Sequence, residues 1–222
     1  TKKFLGKIHG HYIKDSSLEI GDEVTLKIGV EYRNNLRMHH SATHLLHLAL
    51  RKVLGEHLTQ KGSLVAFDRL RFDFSHPKAM SDEDVSQVET IVNEMIRQNQ
   101  SVSTRLMTPD AAQEAGALAL FGEKYGEEVR VVSMGLDSDT SHGNYSVELC
   151  GGTHVNRTGD IGLFKITSES AVASGVRRIE AKTAKGAFDY LTEQDTMIKD
   201  LATLLKTGAS DLPGRIEGLM KD

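Results

Sequence analysis

The chain has no tryptophan, one cysteine, three prolines and only 5% aromatic residues among its 222. A lone cysteine excludes an intramolecular disulfide and favours a reducing, cytoplasmic setting. No apolar run approaches the ~18–20 residues that a membrane-spanning helix requires, so no membrane partner is expected. The charge is close to balanced, with 27 basic against 31 acidic side chains and a formal net charge of −4 at pH 7. Such a balance gives no global attraction for nucleic acid, and any contact of that kind must come from a local patch. Disorder, collagen-like repetition and a disulfide scaffold are all excluded by composition. A chain of this length buries roughly 70% of its unfolded surface and needs no covalent staples.

What is present is a mixture of helical and strand patterns. Residues 23–30 alternate polar and apolar side chains after Gly21-Asp22 and predict a strand. Helical spacing begins near Asn35 and stops at Gly55. Two strands, 63–67 and 70–74, flank the turn Asp68-Arg69. Ser81 followed by three acids predicts a helix to about Gln98, because serine caps the first N–H groups and acids suit the positive helix end. Strands are expected at 102–107, 128–134, 145–150, 162–168 and 176–182. A short helix opens at Pro109, a longer one runs from Ala184 to about Lys206, and a short amphipathic piece follows. Strand and helix do not alternate regularly. The expected fold is α+β, with an antiparallel sheet packed by helices on one face, a partial β-barrel segment at the N-terminus and a helical C-terminal tail.

Ten histidines are present, and their placement carries the chemistry. His40 and His44 are four apart, which puts both rings on one helix face within reach of a single ion; His47 follows three later. Taken alone, this pattern is more often a polar helix face. Cys150-Gly151-Gly152-Thr153-His154 supplies a second pair, with two glycines that let the chain fold back on itself. Three imidazoles and a thiolate suit zinc, which favours four N or S donors in a tetrahedron. Spacing leaves open whether such a site is closed by four protein ligands or keeps a water. A zinc protease is disfavoured, because its helical motif needs glutamate where Ser41 stands. Gln60-Lys61-Gly62-Ser63, the glycine-flanked loop around Lys124, and Gly175-Val176-Arg177-Arg178 add polar groups, an aromatic and guanidiniums that could form a local cationic rim.

Five segments, with a closing one, resemble a known family in order: His40-Ser41-Ala42-Thr43-His44, residues 60–65, residues 70–76, residues 119–126, Cys150-Gly151-Gly152-Thr153-His154 and residues 175–181. Together they are similar to the editing domain of alanyl-tRNA synthetase, over about residues 35 to 182. The threonyl-tRNA synthetase domain shares the paired-histidine helix but lacks the Cys-Gly-Gly-Thr-His string. The loop from Asp137 to Tyr145 is longer than the family's usual one. The resemblance implies hydrolysis of mischarged seryl- and glycyl-tRNA(Ala), with Zn2+ held by His40, His44, Cys150 and His154. It implies catalytic roles for Thr43, Gln60 and Cys150, and contacts to the tRNA acceptor end from Lys124, Arg177 and Arg178. A pocket sized for alanine rejects serine only weakly, so a second site must remove the error while sparing alanine.

It also implies an organisation. Residues 1–33 would be the tail of a β-barrel module, 34–183 the editing domain, and 184–222 a helical connection toward a C-terminal domain. The piece would then derive from an ATP-dependent ligase whose ATP and Mg2+ site lies elsewhere. The tail after Ala184 suits either packing on the core or self-association through the parent's C-terminal region. Three other readings are a free-standing deacylase of the same family, a zinc module that binds RNA without chemistry, and a metallohydrolase acting on small molecules. The metal reading requires Cys150 to lie well within about 8 Å of the helix imidazoles.

Overall fold

The computed structural model describes residues 2–4, 8–14, 17–117, 127–137, 143 and 145–221. A small hairpin, β1 (Lys2–Phe4) with β2 (Ile8–Gly10), opens the chain. The strand expected at 23–30 does not form: residues 22–29 have no regular structure, and Val30 already belongs to the first helix, α1 (Val30–Leu54). Alternation produces a strand only where a neighbour supplies hydrogen bonds and a face to bury. No described strand pairs with this segment, and Ile20, Val24, Leu26 and Ile28 stay exposed. α1 thus starts five residues before the expected Asn35, and Gly55 ends it in a left-handed conformation (φ 114°) that bonds back to Arg51.

The hairpin β3 (Gln60–Val65) and β4 (Leu70–Ser75) leads to α2 (Asp82–Arg97). Ser81 caps α2: its Oγ accepts from the Asp84 N–H at 3.1 Å while its own N–H donates to the Asp84 carboxylate at 2.9 Å. Then follow β5 (Ser103–Met107), α3 (Pro109–Glu114), β6 (Val129–Met134) and β7 (Ser146–Leu149). A 3-10 turn at Thr158–Ile161 precedes β8 (Phe164–Ala173), β9 (Val176–Thr183), α4 (Ala184–Leu204) and α5 (Leu212–Leu219).

The class is α+β and every described strand pair is antiparallel. Instead of one main sheet there are two, in the orders β3-β4-β9-β8 and β5-β6-β7. The core lies between the four-stranded sheet and helices α1 and α2: Leu45, Leu46 and Leu50 meet Val88, Val92 and Ile96 over Phe72, Phe74, Phe164 and Ile179. β6 explains why its sequence pattern looks mixed. Val132 and Met134 join this core, whereas Val129 and Val131 pack with Ala112 and Val147 in a second one. A strand buried on both faces carries no polar alternation. α1 touches β3, β4, β7 and β9, and so spans the gap between the sheets. No described helix is long and apolar enough to cross a membrane.

Candidate metal centre

The helical repeat of α1 stacks the His40 and His44 rings one turn apart, with centroids separated by 5.3 Å. β7 delivers Cys150 from the opposite sheet, and the loop beyond it turns His154 back toward the helix. Cys150 Sγ lies 3.5 Å from His40 Nε2 and 3.3 Å from His154 Nε2. One donor atom from each of His40, His44, Cys150 and His154 falls within 4.8 Å of all the others. A zinc tetrahedron with its usual N and S bond lengths has edges of about 3.3 to 3.6 Å, so this set is near the required size.

The turn between Cys150 and His154 depends on Gly152. A Cβ there would sit 1.9 Å from His40 Cε1 and 2.4 Å from Nδ1, so only hydrogen fits against the ring. The Gly152 N–H also points at the sulfur, 3.4 Å away. Arg130 fixes the loop from behind, donating to the carbonyls of Cys150 at 3.0 Å and Gly152 at 2.5 Å.

The rings are held by their far nitrogens. His44 Nδ1 donates to Glu148 at 2.7 Å, which leaves its Nε2 buried with no hydrogen-bond partner. That unpartnered nitrogen, once it has lost its proton, is what a metal ligand would present. His154 Nδ1 lies 3.1 Å from Ser41 Oγ, which also accepts the Val155 N–H at 3.2 Å. Ser41, standing where a protease would place a base, therefore orients a ring.

The charges agree with this arrangement. Burial pushes the Cys150 thiol up, but hydrogen bonds from His154 and His40 outweigh it and bring the group down to about 3, a thiolate. Burial opposes charge on His44, yet the Glu148 carboxylate and the sulfur lift it to about 10. Glu148 is held well below the usual carboxylate range: burial raises it, and the facing His44 charge overrides that. Burial lowers His154 to about 4. A thiolate and a buried carboxylate together carry two negative charges. A divalent cation on three neutral imidazoles would balance them, and without it the His44 proton supplies part of that positive charge. The residues present therefore fit zinc.

Replacing Glu148 with glutamine removes the charge but keeps the shape. We expect zinc affinity to fall roughly 10–100-fold, as for other carboxylates that brace a ligating histidine. Chelator competition measures this; unchanged affinity would remove Glu148 from the bracing role.

Residues 129–180 match the family described as the threonyl and alanyl tRNA synthetase second additional domain. Over its whole length the chain is 60% identical to an alanine–tRNA ligase of Parvibaculum lavamentivorans and 57% identical to one of Rhizorhabdus wittichii. It is 56% identical, over 97% of its length, to one of Sinorhizobium medicae. The whole chain corresponds to a segment of the alanine–tRNA ligases. It spans about a quarter of the length of these curated relatives, 25%, 25% and 24% respectively.

The other residues singled out by this family's motifs are placed as follows. Thr43 is buried on α1, its hydroxyl donating to the His39 carbonyl at 2.8 Å, so that only its lone pairs are left to accept. Gln60 is half-buried at the start of β3, paired with Phe74 beside a bulge. His47 stays apart from the cluster: its ring packs on Phe72 with centroids 5.3 Å apart, and its Nδ1 lies 3.7 Å from Glu148, too far for a hydrogen bond. Arg177 and Arg178, expected to contact the tRNA acceptor end, are each paired with a carboxylate. Arg177 forks onto Glu169 at 2.5 Å, and Arg178 onto Asp73 at 2.7 and 2.9 Å. Lys124, and most of the loop between Asp137 and Tyr145, lie outside the described residues.

Sequence spacing does not single out Glu148, Arg37 or Arg130, and it marks Ser41 only as the residue standing where a protease has glutamate. Glu148 was within reach, since a strand through 145–150 puts residues 148 and 150 on one face.

Proposed function

We propose that the chain hydrolyses the ester joining a wrongly attached amino acid, serine or glycine, to the 3′-terminal adenosine of tRNA(Ala). The observation that carries this reading is the convergence of His40, His44, Cys150 and His154, with Glu148 and Ser41 bracing the rings, in a chain that corresponds to a segment of the alanine–tRNA ligases. Residues 34–183 would form the deacylase, 1–33 the tail of a β module and 184–222 a helical connection. Ligation with ATP and Mg2+ would belong to a longer parent.

Zinc, held by the four donors, would supply a positive charge that orients the substrate's amino group or polarises water. The chain's own residues do the rest. Water adds across the ester, releasing the amino acid as a carboxylate and restoring the ribose hydroxyl. Thr43 presents lone pairs that can accept a hydrogen bond from the serine hydroxyl, and Gln60 offers a carbonyl and an amide from the strand beside α1. Alanine would leave these groups without partners, which is how a polar pocket spares it.

Deacylation of seryl-tRNA and alanyl-tRNA by the purified chain, with its zinc content measured, tests the reading. Full activity without bound metal rejects the metal-dependent mechanism. RNA binding without hydrolysis leaves a non-catalytic zinc module. Hydrolysis of small esters at a rate indifferent to the tRNA points to a general hydrolase. For selectivity, Thr43→Val and Gln60→Ala should each lower the seryl-to-alanyl rate ratio roughly tenfold, about one neutral hydrogen bond. An unchanged ratio in both variants removes them from the role.

A further inference from the structure

Arg177 and Arg178 are paired with Glu169 and Asp73, and among the described residues two other guanidiniums lie beside the His/Cys cluster. Arg37, on α1 one turn before His40, donates from Nε to Thr153 Oγ1 at 3.2 Å. Arg130 donates to the Cys150 and Gly152 carbonyls and, at 3.4 Å, to Thr104 Oγ1. All of these acceptors are neutral, and neither guanidinium has a carboxylate partner among the described residues. Both line one cavity of ≈ 380 Å³ that also takes in Gly152 and His154. Asp160 lines the adjoining cavity with Arg37, but one of its carboxylate oxygens already accepts the Arg157 N–H at 3.0 Å.

A guanidinium bonded only to neutral groups keeps its full charge, and Arg37 uses one of five N–H donors in its described bonds. Its planar fork matches two phosphate oxygens. An ester on a terminal nucleoside stands one sugar away from that nucleoside's own 5′-phosphate, so a strand presenting the ester to the cluster carries a phosphate beside it. We infer that Arg37 binds a backbone phosphate of the RNA strand whose 3′ end enters the site. Arg130 is a positioning residue that shapes the loop and adds to the positive field. The inference rests on the RNA-ester reading above and names the group that would hold the strand.

The test uses the full chain loaded with zinc and an uncharged RNA hairpin with a single-stranded 3′ end, titrated at several salt concentrations. Arg37→Gln keeps a donor for Thr153 and removes the charge. The dissociation constant should rise roughly tenfold, the loss of a hydrogen bond to a charged group. The slope of log affinity against log salt should fall by about 0.7, one phosphate contact fewer on a single strand. Zinc content should stay unchanged, and Arg37→Lys should restore the slope. Free inorganic phosphate at the same concentrations should compete weakly, since it lacks the strand. The inference is overturned if Arg37→Gln binds like the parent, if Arg177→Gln loses as much affinity, or if the unaltered chain does not bind the hairpin. Hydrolysis of seryl-tRNA is measured separately, so a chain that binds through Arg37 but does not hydrolyse would remove the deacylase reading alone.

Discussion

Cys150→Ala is expected to lower zinc affinity by more than ~100-fold, beyond the 10–100-fold typical of losing a bracing group. The sulfur is the one anionic donor in the set, and it touches both His40 and His154. Without it, three neutral imidazoles would face a cation with only the indirect charge of Glu148 in support. The loss should also reach stability. An ion present at a thousand times its dissociation constant stabilises the folded chain by ~4 kcal/mol. For a domain of this size that is roughly 8–16 °C in melting temperature. The parent chain should therefore melt that much lower after chelation, and Cys150→Ala should melt at the lower temperature whether or not chelator is added. Seryl-tRNA deacylation should fall with the metal. A Cys150→Ala chain that kept stoichiometric zinc at parental affinity would remove the sulfur from the coordination shell.

Gly152→Ala should be nearly as damaging, although it deletes nothing. The added methyl would lie 1.9 Å from His40 Cε1, a distance no side chain tolerates, so either the ring or the loop must move. His40 is fixed to a long helix and the loop is tied down by Arg130, so the cost falls on the coordination geometry. A fall in zinc affinity of roughly 10–100-fold is expected, comparable to loosening a ligand. Gly151 provides the control. A Cβ at that position meets nothing within 4 Å, and its backbone is not in the left-handed region. Gly151→Ala should leave affinity within about twofold, in the range of ordinary surface changes. Equal effects at the two positions would show that loop flexibility, not the contact with His40, governs the site.

The bracing of the rings bears on how the two variants are compared. Glu148 acts on His44 and Ser41 acts on His154, whereas the Cε1 edge of His40 rests against Gly152. Each imidazole is thus oriented by a different neighbour. Glu148→Gln and Gly152→Ala should combine non-additively in affinity, because both perturb one shared shell.

The residue types and their local spacing pointed to a His/Cys cluster, and the family resemblance supplied the four-residue set that the structure brings together. A four-residue interval on a helix puts two rings on one face, and the glycines of Cys-Gly-Gly-Thr-His let the chain fold back. The capped start of α2 at Ser81 and the stop at Gly55 were likewise local events, governed by a few neighbouring backbone groups. What involved partners distant in sequence was decided by the tertiary structure. Alternation at 23–30 promised a strand that found no neighbour to pair with. β6 looked mixed because each of its faces joins a different core, which also separates the strands into two sheets. Arg178 was expected at the tRNA acceptor end, and only the pairing of β9 with β4 shows Asp73, 105 residues away, against it. Glu148 read as one more polar residue on a strand until α1 set His44 against it. Charge and hydrogen-bond demand are properties of an environment, and that environment is assembled from segments a hundred residues apart.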